Sequence, residues 1–213
     1  MSKRFYQLAS LILLIALTLT SSNHTIYYDD YLQSTKLENS RTFTLLIDAS
    51  FTEQEKNIII RAGHRWEKVT NNFISFIFKE QKDRTKYQPI LDFQDYSTDN
   101  NFINLNEKTR IINIWRTYPE DVQLQHIEKI TGVSLMGFAP GKSILLVPAR
   151  TDSIEEFESV AAHEIGHVIG LKHTKSLMNA IDSGNCITSI DVQQFCQIYN
   201  CNKIKIEAES CSE

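Results

Sequence analysis

The chain has 213 residues, which is room for one domain of ordinary size or for one domain with a small appendage. Hydrophobic residues make up 42% of it and charged residues 23%, values that allow a buried core and exclude a largely disordered protein. The formal net charge of −4 argues against nucleic acid as a partner, because proteins that hold phosphate backbones carry an excess of Lys and Arg.

The N-terminus has the layout of a secretory signal peptide. Lys3 and Arg4 precede an apolar run over 8–19, and small polar residues follow it. The run is shorter than the roughly 20 apolar residues that span a membrane, so we expect no membrane span in the mature chain. An uncleaved anchor is the alternative, because the flank has no clean Ala-x-Ala site. We predict a signal peptide over 1–22, a short polar leader over 23–40, and secretion.

The rest of the chain, 41–213, is predicted to form a single domain that begins with a strand and a helix. Residues 41–48 alternate between polar and apolar and then become wholly apolar, which favours a strand entering a core. Thr52 and Glu55 have the spacing of a capping box, and apolar residues follow at helical spacing. We therefore expect a helix over about 53–71.

The middle of the chain alternates between apolar strands and polar segments. Residues 73–78 and 111–115 predict strands. The charged stretch over 79–108 indicates mostly loop, with a short strand at 90–93. We interpret 118–132, which is polar, as an excursion over the surface.

Two further strands, over 133–139 and 143–148, are joined by a tight turn at Pro140 and Gly141. A strand, a helix and several strands come in this order, and another helix follows. This order indicates an α+β fold, in which a mixed sheet carries helices on one side.

The next predicted helix contains residues that could bind a metal ion and transfer protons. Ser153 and Glu156 form a second capping box, and an apolar stripe follows that would lie on the sheet. His163 and His167 are four residues apart, so both imidazoles lie on one helix face and two nitrogens can reach one metal ion. Glu164 cannot ligate the same ion from the adjacent position, but it can take a proton from a zinc-activated water.

The residues after this helix complete a predicted zinc site. Gly170 can adopt the left-handed conformation that ends a helix, and the resulting turn would bring His173 to the metal from another direction. Three protein ligands leave one tetrahedral position open for water, which distinguishes catalytic from structural zinc. We predict one catalytic zinc ion held by His163, His167 and His173, with Glu164 as the general base.

The stretch HEIGHVIGLKH, residues 163–173, resembles the long zinc signature of the metzincin family of zinc endopeptidases. Met178 follows where that family has its Met-turn, and it resembles the methionine that lies beneath the metal. Residues 187–199 resemble the C-terminal helix of the matrixin branch. The resemblance implies a twisted mixed sheet with a long active-site helix and a C-terminal helix. It places the zinc site in a cleft below an edge strand.

The resemblance also implies a secreted endopeptidase that acts on proteins or peptides. Gly137, Phe138 and Ala139 resemble the edge strand along which metzincins hold an extended substrate, which would gain main-chain hydrogen bonds by strand addition. Two other functions stay open: a zinc-binding but non-hydrolytic secreted module derived from a protease, and a hydrolase of non-peptide amides. Glu164 argues against the first of these, because a degenerate enzyme often loses its general base. We expect a monomer.

Two further features depart from branches of the family. No Tyr follows within a few residues of Met178, so the tyrosine ligand of the astacin and serralysin branches is missing. The leader has no Cys, which excludes latency through a propeptide thiol on the zinc. Calcium, which the matrixin branch uses, is without support from a regular Asp/Asn loop, although four aspartates could contribute to such a site: Asp95, Asp99, Asp121 and Asp152.

The four cysteines of the chain lie together near its C-terminus, at Cys186, Cys196, Cys201 and Cys211. In an exported chain this even count predicts two disulfides that staple the segment 186–211, with three connectivities open. A zinc site is the weaker alternative, because the spacings contain no Cys-x-x-Cys pair.

Overall fold

The structure is a computed structural model, and it describes residues 42–83, 110–139, 143–179, 184–199 and 208–209. Strands and helices alternate along most of this chain. They are β1 (Thr42–Asp48), α1 (Glu53–Val69), β2 (Ser75–Gln81), β3 (Arg110–Arg116), α2 (Val122–Thr131), β4 (Gly137–Phe138), β5 (Ser143–Leu146), a single 3-10 turn (Pro148–Arg150), α3 (Ile154–Val168) and α4 (Ser189–Tyr199).

The five strands form one mixed sheet in the order β2-β1-β3-β5-β4. Strands β2, β1, β3 and β5 run parallel to one another, whereas β4 runs antiparallel to β5 at the edge of the described sheet. Helix α1 lies between the parallel strands β1 and β2, and α2 lies between β3 and β5, since a parallel pair needs a crossover. The predicted α+β fold with a mixed sheet is therefore confirmed.

The main core lies between one face of the sheet and helices α1 and α3. On β1 the alternate residues Phe43, Leu45 and Ile47 are buried, as the two-residue period of a strand requires. Trp66 of α1 is fully buried, and its Nε1–H donates to the Ala162 carbonyl of α3 at 2.8 Å. This contact fixes α3, the helix with the histidine motif, against α1.

Replacing Trp66 with phenylalanine is expected to lower the free energy of unfolding by about 2 kcal/mol, because the variant loses the bond to Ala162 and leaves volume unfilled. Urea denaturation measures the change. Tyr118→Phe is the control, because Tyr118 is exposed and the substitution should change stability by less than about 0.5 kcal/mol. Equal stability of the Trp66 variant and the wild type would contradict the role given to this contact.

The prediction of a surface excursion over 118–132 was wrong, because ten of these residues form helix α2. The Asp121 carboxylate caps the helix by accepting from the Gln123 and Leu124 amides, and the chain leaves the helix at Gly132 with φ of 71°. Leu124 and Ile127 are buried, so the helix has an apolar side of its own. Two buried positions in ten residues gave too weak a periodicity to reveal it.

Two other boundaries differ from the prediction. Strand β2 begins at Ser75 rather than 73, because Asn71 and Asn72 adopt left-handed conformations with φ of 49° and 57° that turn the chain after α1. The strand predicted over 133–139 is reduced to Gly137–Phe138. The backbone groups of Leu135 bond to side chains instead of to a neighbouring strand.

The C-terminal helix α4 confirms the expectation for residues 187–199. Neither cysteine in the described part of the chain, Cys186 or Cys196, is free. None of the helices described is long and apolar enough to cross a membrane. Several predictions concern residues outside the described ranges: the signal peptide 1–22, the leader 23–40, the strand 90–93, the turn at 140–141, Asp95, Asp99, Cys201 and Cys211.

Candidate active site

Three histidine side chains converge beside the sheet. His163 and His167 lie one turn apart on α3, and His173 follows the helix. The His167 Nε2 atom is 3.0 Å from His163 Nε2 and 3.1 Å from His173 Nε2. Within the described ranges, this is the one group of His, Cys, Asp or Glu side chains whose geometry could hold a metal ion.

Backbone carbonyls orient two of the rings. His163 Nδ1 donates to the Leu177 carbonyl at 2.7 Å, and His167 Nδ1 donates to the Leu171 carbonyl at 2.9 Å. These bonds assign the proton of each neutral ring to Nδ1 and leave its Nε2 lone pair facing the others. Lone pairs at this separation repel one another unless a cation lies between them, so the three rings fit a zinc ion.

The electrostatics of the site also suit a metal. Burial, together with the nearby His163 and His173, lowers the pKa of His167 well below its ordinary value. A histidine must be neutral in order to ligate, and this one stays neutral throughout the physiological range. The site therefore binds a cation without first having to lose a proton from His167.

A turn after α3 brings the third histidine into place. Gly170 has φ of 98°, a left-handed conformation that residues with a side chain rarely adopt, and its N–H donates to the His167 carbonyl at 2.9 Å. The Leu171 N–H then donates to the Gly166 carbonyl at 3.0 Å, which closes the turn. The turn predicted at Gly170 is thus present, and His173 approaches from a direction that the helix cannot supply.

Glu164 follows His163 on α3. Its side chain is buried, and burial raises the pKa of Glu164 to about 8. Within the described chain no donor lies within hydrogen-bonding distance of Glu164 Oε2. A buried carboxyl group without a fixed partner at one oxygen is free to exchange a proton with a molecule that enters the site.

Strand β4 passes directly over this carboxyl group. A Cβ atom added to Gly137 would lie 2.7 Å from both Cγ and Oε1 of Glu164 and 2.9 Å from Val160 Cγ1, so only glycine fits here. The Met136 carbonyl accepts from the Val147 N–H, and the Leu146 carbonyl accepts from the Thr117 N–H. Because backbone groups alternate in direction along a strand, the N–H and C=O of Gly137 point away from β5, toward the open edge.

The other two residues of the predicted edge strand lie beside this position. Phe138 is opposite Leu145 of β5 and half-buried, and Ala139 is buried as the described segment ends. The structure therefore brings together the predicted histidines, Glu164 and Gly137 in one place. Phe138 and Ala139 continue the same edge.

The family Matrixin matches residues 36–200 of the chain, well over half of it. The chain belongs to the matrixin family. The predicted metzincin resemblance, closest to the matrixin branch, is confirmed. Membership and the three-histidine cluster together make this matrixin a zinc metallopeptidase by kind, that is, a hydrolase with peptide substrates.

Comparison with other proteins adds a distant structural likeness. Among solved structures, the archaemetzincin of Methanopyrus kandleri is similar to this matrixin with a TM-score of 0.39 and 15% identity. The match covers 73% of this chain and 86% of the other. None of the curated proteins matches the chain.

Met178 of this matrixin lies against the active-site helix, as the Met-turn prediction anticipates. It is fully buried, and a Cβ atom added to Gly166 would overlap its sulfur and come within 3.1 Å of Trp66. The helix can approach the turn this closely only because position 166 has no side chain. The turn thus fits against α3 one residue before His167.

Sequence reasoning missed the residue that anchors the segment between His173 and Met178. Asp191 of α4 is fully buried and accepts from the hydroxyl groups of Thr174 at 2.8 Å and Ser176 at 2.6 Å. It also accepts from the N–H and hydroxyl of Thr188. The pattern Thr188-x-x-Asp191 at the start of a helix was the available signal, but it identifies a cap and not the loop attached to it.

Proposed function

We propose that this matrixin is a secreted zinc endopeptidase that hydrolyses peptide bonds with Glu164 as its general base. The observation that carries the proposal is the convergence of three histidine Nε2 atoms beside a buried carboxyl group, beneath an open strand edge. His163, His167 and His173 would hold the ion. When bound, zinc supplies Lewis acidity that polarises the scissile carbonyl and makes water a nucleophile at neutral pH.

Glu164 moves the protons of the reaction. Burial raises the pKa of Glu164, and a cation held by the three histidines would lower it again, so that the group would be a carboxylate when water attacks the peptide carbon. It takes the proton of that water and returns it to the amine as the peptide bond breaks. The unpartnered Oε2 atom fits this role, because a proton-transfer group must not be tied to a permanent donor.

Gly137 aligns the substrate. Its N–H and C=O point to the open edge, so an extended peptide can add to the sheet there by main-chain hydrogen bonds. Gly137 also lies in contact with Glu164, which places the paired peptide beside the proton-transfer group. Phe138 and Ala139 would extend the same strand. The residue that orients the substrate, Gly137, and the general base, Glu164, therefore lie side by side in the site.

Export rests on the sequence. The basic residues and the apolar run within 1–22 are those of a cleavable signal, after which the mature chain would begin with the leader 23–40 and continue into the domain 41–213. An oxidising compartment suits Cys186 and Cys196, neither of which is free. We infer that the segment 186–211 is held by two disulfides and that the secreted protein acts as a monomer.

Metal removal tests the function. The chain without residues 1–22 is incubated with a mixture of quenched fluorescent peptides, before and after treatment with a chelator. Cleavage should fall by about 100-fold or more on chelation and return when zinc is restored, because the metal supplies the Lewis acidity. Zinc binding at one ion per chain without any cleavage would favour the non-hydrolytic module instead. Cleavage that is indifferent to the chelator would overturn the proposal.

A further inference from the structure

Two side chains hold the backbone just before strand β4. The Leu135 N–H donates to Glu128 Oε1 at 2.7 Å, and the Leu135 carbonyl accepts from Arg150 Nη1 at 2.7 Å. Backbone groups in a connecting segment are ordinarily satisfied by water or by the chain's own turns. Here both groups of one residue are taken by side chains from elsewhere, which fixes the backbone at this point.

Glu128 and Arg150 also bind each other. Arg150 Nη1 donates to Glu128 Oε1 and Arg150 Nη2 donates to Glu128 Oε2 at 3.1 Å, the two-point geometry that makes such pairs directional. The bond from Arg150 lowers the pKa of Glu128, so the pair is charged at neutral pH. The two side chains are only 17% and 18% exposed, which shields the pair from solvent. We call Glu128, Arg150 and the Leu135 backbone the strand clamp.

The strand clamp joins three separate parts of the fold. Glu128 belongs to α2, Arg150 to the 3-10 turn after β5, and Leu135 to the segment between α2 and β4. The next residue, Met136, is held to β5 by the Val147 N–H at 2.8 Å. Strand β4 is very short, so its own ladder supplies few bonds, and its N-terminal end is held by the clamp together with the bond between Val147 and Met136.

The position of β4 matters because Gly137 touches Glu164. The fit is so close that even one carbon atom added to Gly137 would collide with the carboxyl group. A strand that moved outward would separate the paired peptide from Glu164, and a strand that moved inward would displace the carboxyl group. Misplacement by about 1 Å in such a site can cost up to about 100-fold in rate.

We propose that Glu128 and Arg150 are positioning residues for the peptidase reaction, which hold β4 where a peptide paired with Gly137 has its scissile bond beside Glu164. The inference rests on the proposed function, since it takes β4 as the strand that binds the substrate. Neither residue touches the substrate. Each acts through the Leu135 backbone.

The test compares variants of the clamp with variants of a matched ion pair. Arg150→Ala and Glu128→Ala each remove one bond to Leu135, whereas Glu128→Gln keeps an acceptor for the Leu135 N–H and loses the charge. Arg65→Ala is the control, because the Arg65–Glu209 pair is as buried, at 15% and 17% exposed, and equally bidentate. The hydrogen bonds of Arg65 join α1 to Glu209 and to the Asn185 carbonyl, which belong to other parts of the described chain than β4. Steady-state kinetics on a cleaved peptide and amide hydrogen exchange are measured for each variant.

The two alanine variants of the clamp should raise KM about tenfold and lower kcat about tenfold, because a displaced β4 both weakens the pairing with the peptide and moves its scissile bond away from Glu164. Glu128→Gln should stay within about threefold of the wild-type KM, since the bond to Leu135 survives. Amides of residues 133–138 should exchange about tenfold faster in the alanine variants only. Arg65→Ala should lower the melting temperature and leave KM and this exchange unchanged.

An equal rise in KM in Arg65→Ala would show a general effect of stability and overturn the proposal. An equal rise in KM in Glu128→Gln and Glu128→Ala would also overturn the proposal, because the bond from the Leu135 N–H would then have no effect on substrate binding. If the wild-type chain cleaves no peptide, the proposed function fails by itself. Amide hydrogen exchange then tests by itself whether the strand clamp holds β4. Unchanged exchange of residues 133–138 in Arg150→Ala and Glu128→Ala would reject the clamp.

Discussion

Replacing Glu164 with alanine is expected to leave the protein with its zinc and without its peptidase activity. The three histidine nitrogens do not depend on this side chain, so zinc content should stay at one ion per chain. The value of kcat/KM should fall about 1,000-fold or more, because the variant has no carboxyl group beside His163 on α3 to accept the proton of the attacking water. Cleavage kinetics beside metal analysis of the purified variant measure both quantities.

The control for this experiment comes from the same helix. Glu155→Ala removes an exposed carboxyl group from the first turn of α3 and should leave kcat/KM within about threefold of the wild type. Removal of Glu164 also takes away a buried carboxyl group, so the variant should be at least as stable as the wild type. More than about a tenth of the activity left in Glu164→Ala would exclude this residue as the general base.

The zinc site could be predicted from the sequence because most of it is local. His163, Glu164 and His167 lie on a single helix, and one turn at Gly170 adds His173, so spacing alone specifies their arrangement. The helix itself was also visible, since its cap at Ser153 and its apolar stripe are written in consecutive residues. Short-range geometry carries this information without any knowledge of the tertiary fold.

The surroundings of the site could not be predicted in the same way. The contact between Gly137 and Glu164 joins residues far apart in sequence, and nothing in either segment specifies the partner. The same is true of Glu128 and Arg150, which are attached to Leu135 only through the fold. The helix that carries Glu128, α2, was missed because its apolar face consists of few residues. Sequence patterns can identify a helix or a strand. Only the packing of the fold determines which distant backbone groups its side chains bind.

The strands of the sheet also differ in how well they could be predicted from the sequence. Strands β1, β3 and β5 were predicted from their apolar runs, since strands paired on both sides have little polar character. The edge strand β4 was predicted too long, because residues 133–136 have the apolar character of a strand, but side chains bind the Val133 N–H and both backbone groups of Leu135. Strand propensity alone cannot show that a side chain will bind backbone groups that would otherwise pair with a neighbouring strand.

Replacing Asp191 with alanine is expected to weaken zinc binding from a distance. The carboxyl group accepts hydrogen bonds from the side chains of Thr174 and Ser176, which lie within the segment from His173 to Met178. Without it these hydroxyl groups and the Thr188 N–H lose the Asp191 carboxylate as their acceptor. We expect a loss of about 3 kcal/mol in the free energy of unfolding and about 10 to 100-fold in zinc affinity. Denaturant unfolding of the zinc-free protein and competitive zinc titration measure the two effects.

A loss of zinc affinity in the Asp191 variant could also come from lower stability of the whole fold, so a second destabilised variant is needed for comparison. Arg65→Ala supplies the comparison, because it also lowers stability but leaves the bonds from Thr174 and Ser176 to Asp191 intact. If zinc affinity fell equally in both variants, the loss would come from stability alone, and Asp191 would do no more than hold α4. If it falls only in the Asp191 variant, the loop that carries His173 owes its position to a carboxyl group on a different helix. The third ligand would then be set by tertiary structure, while the first two are set by α3 itself.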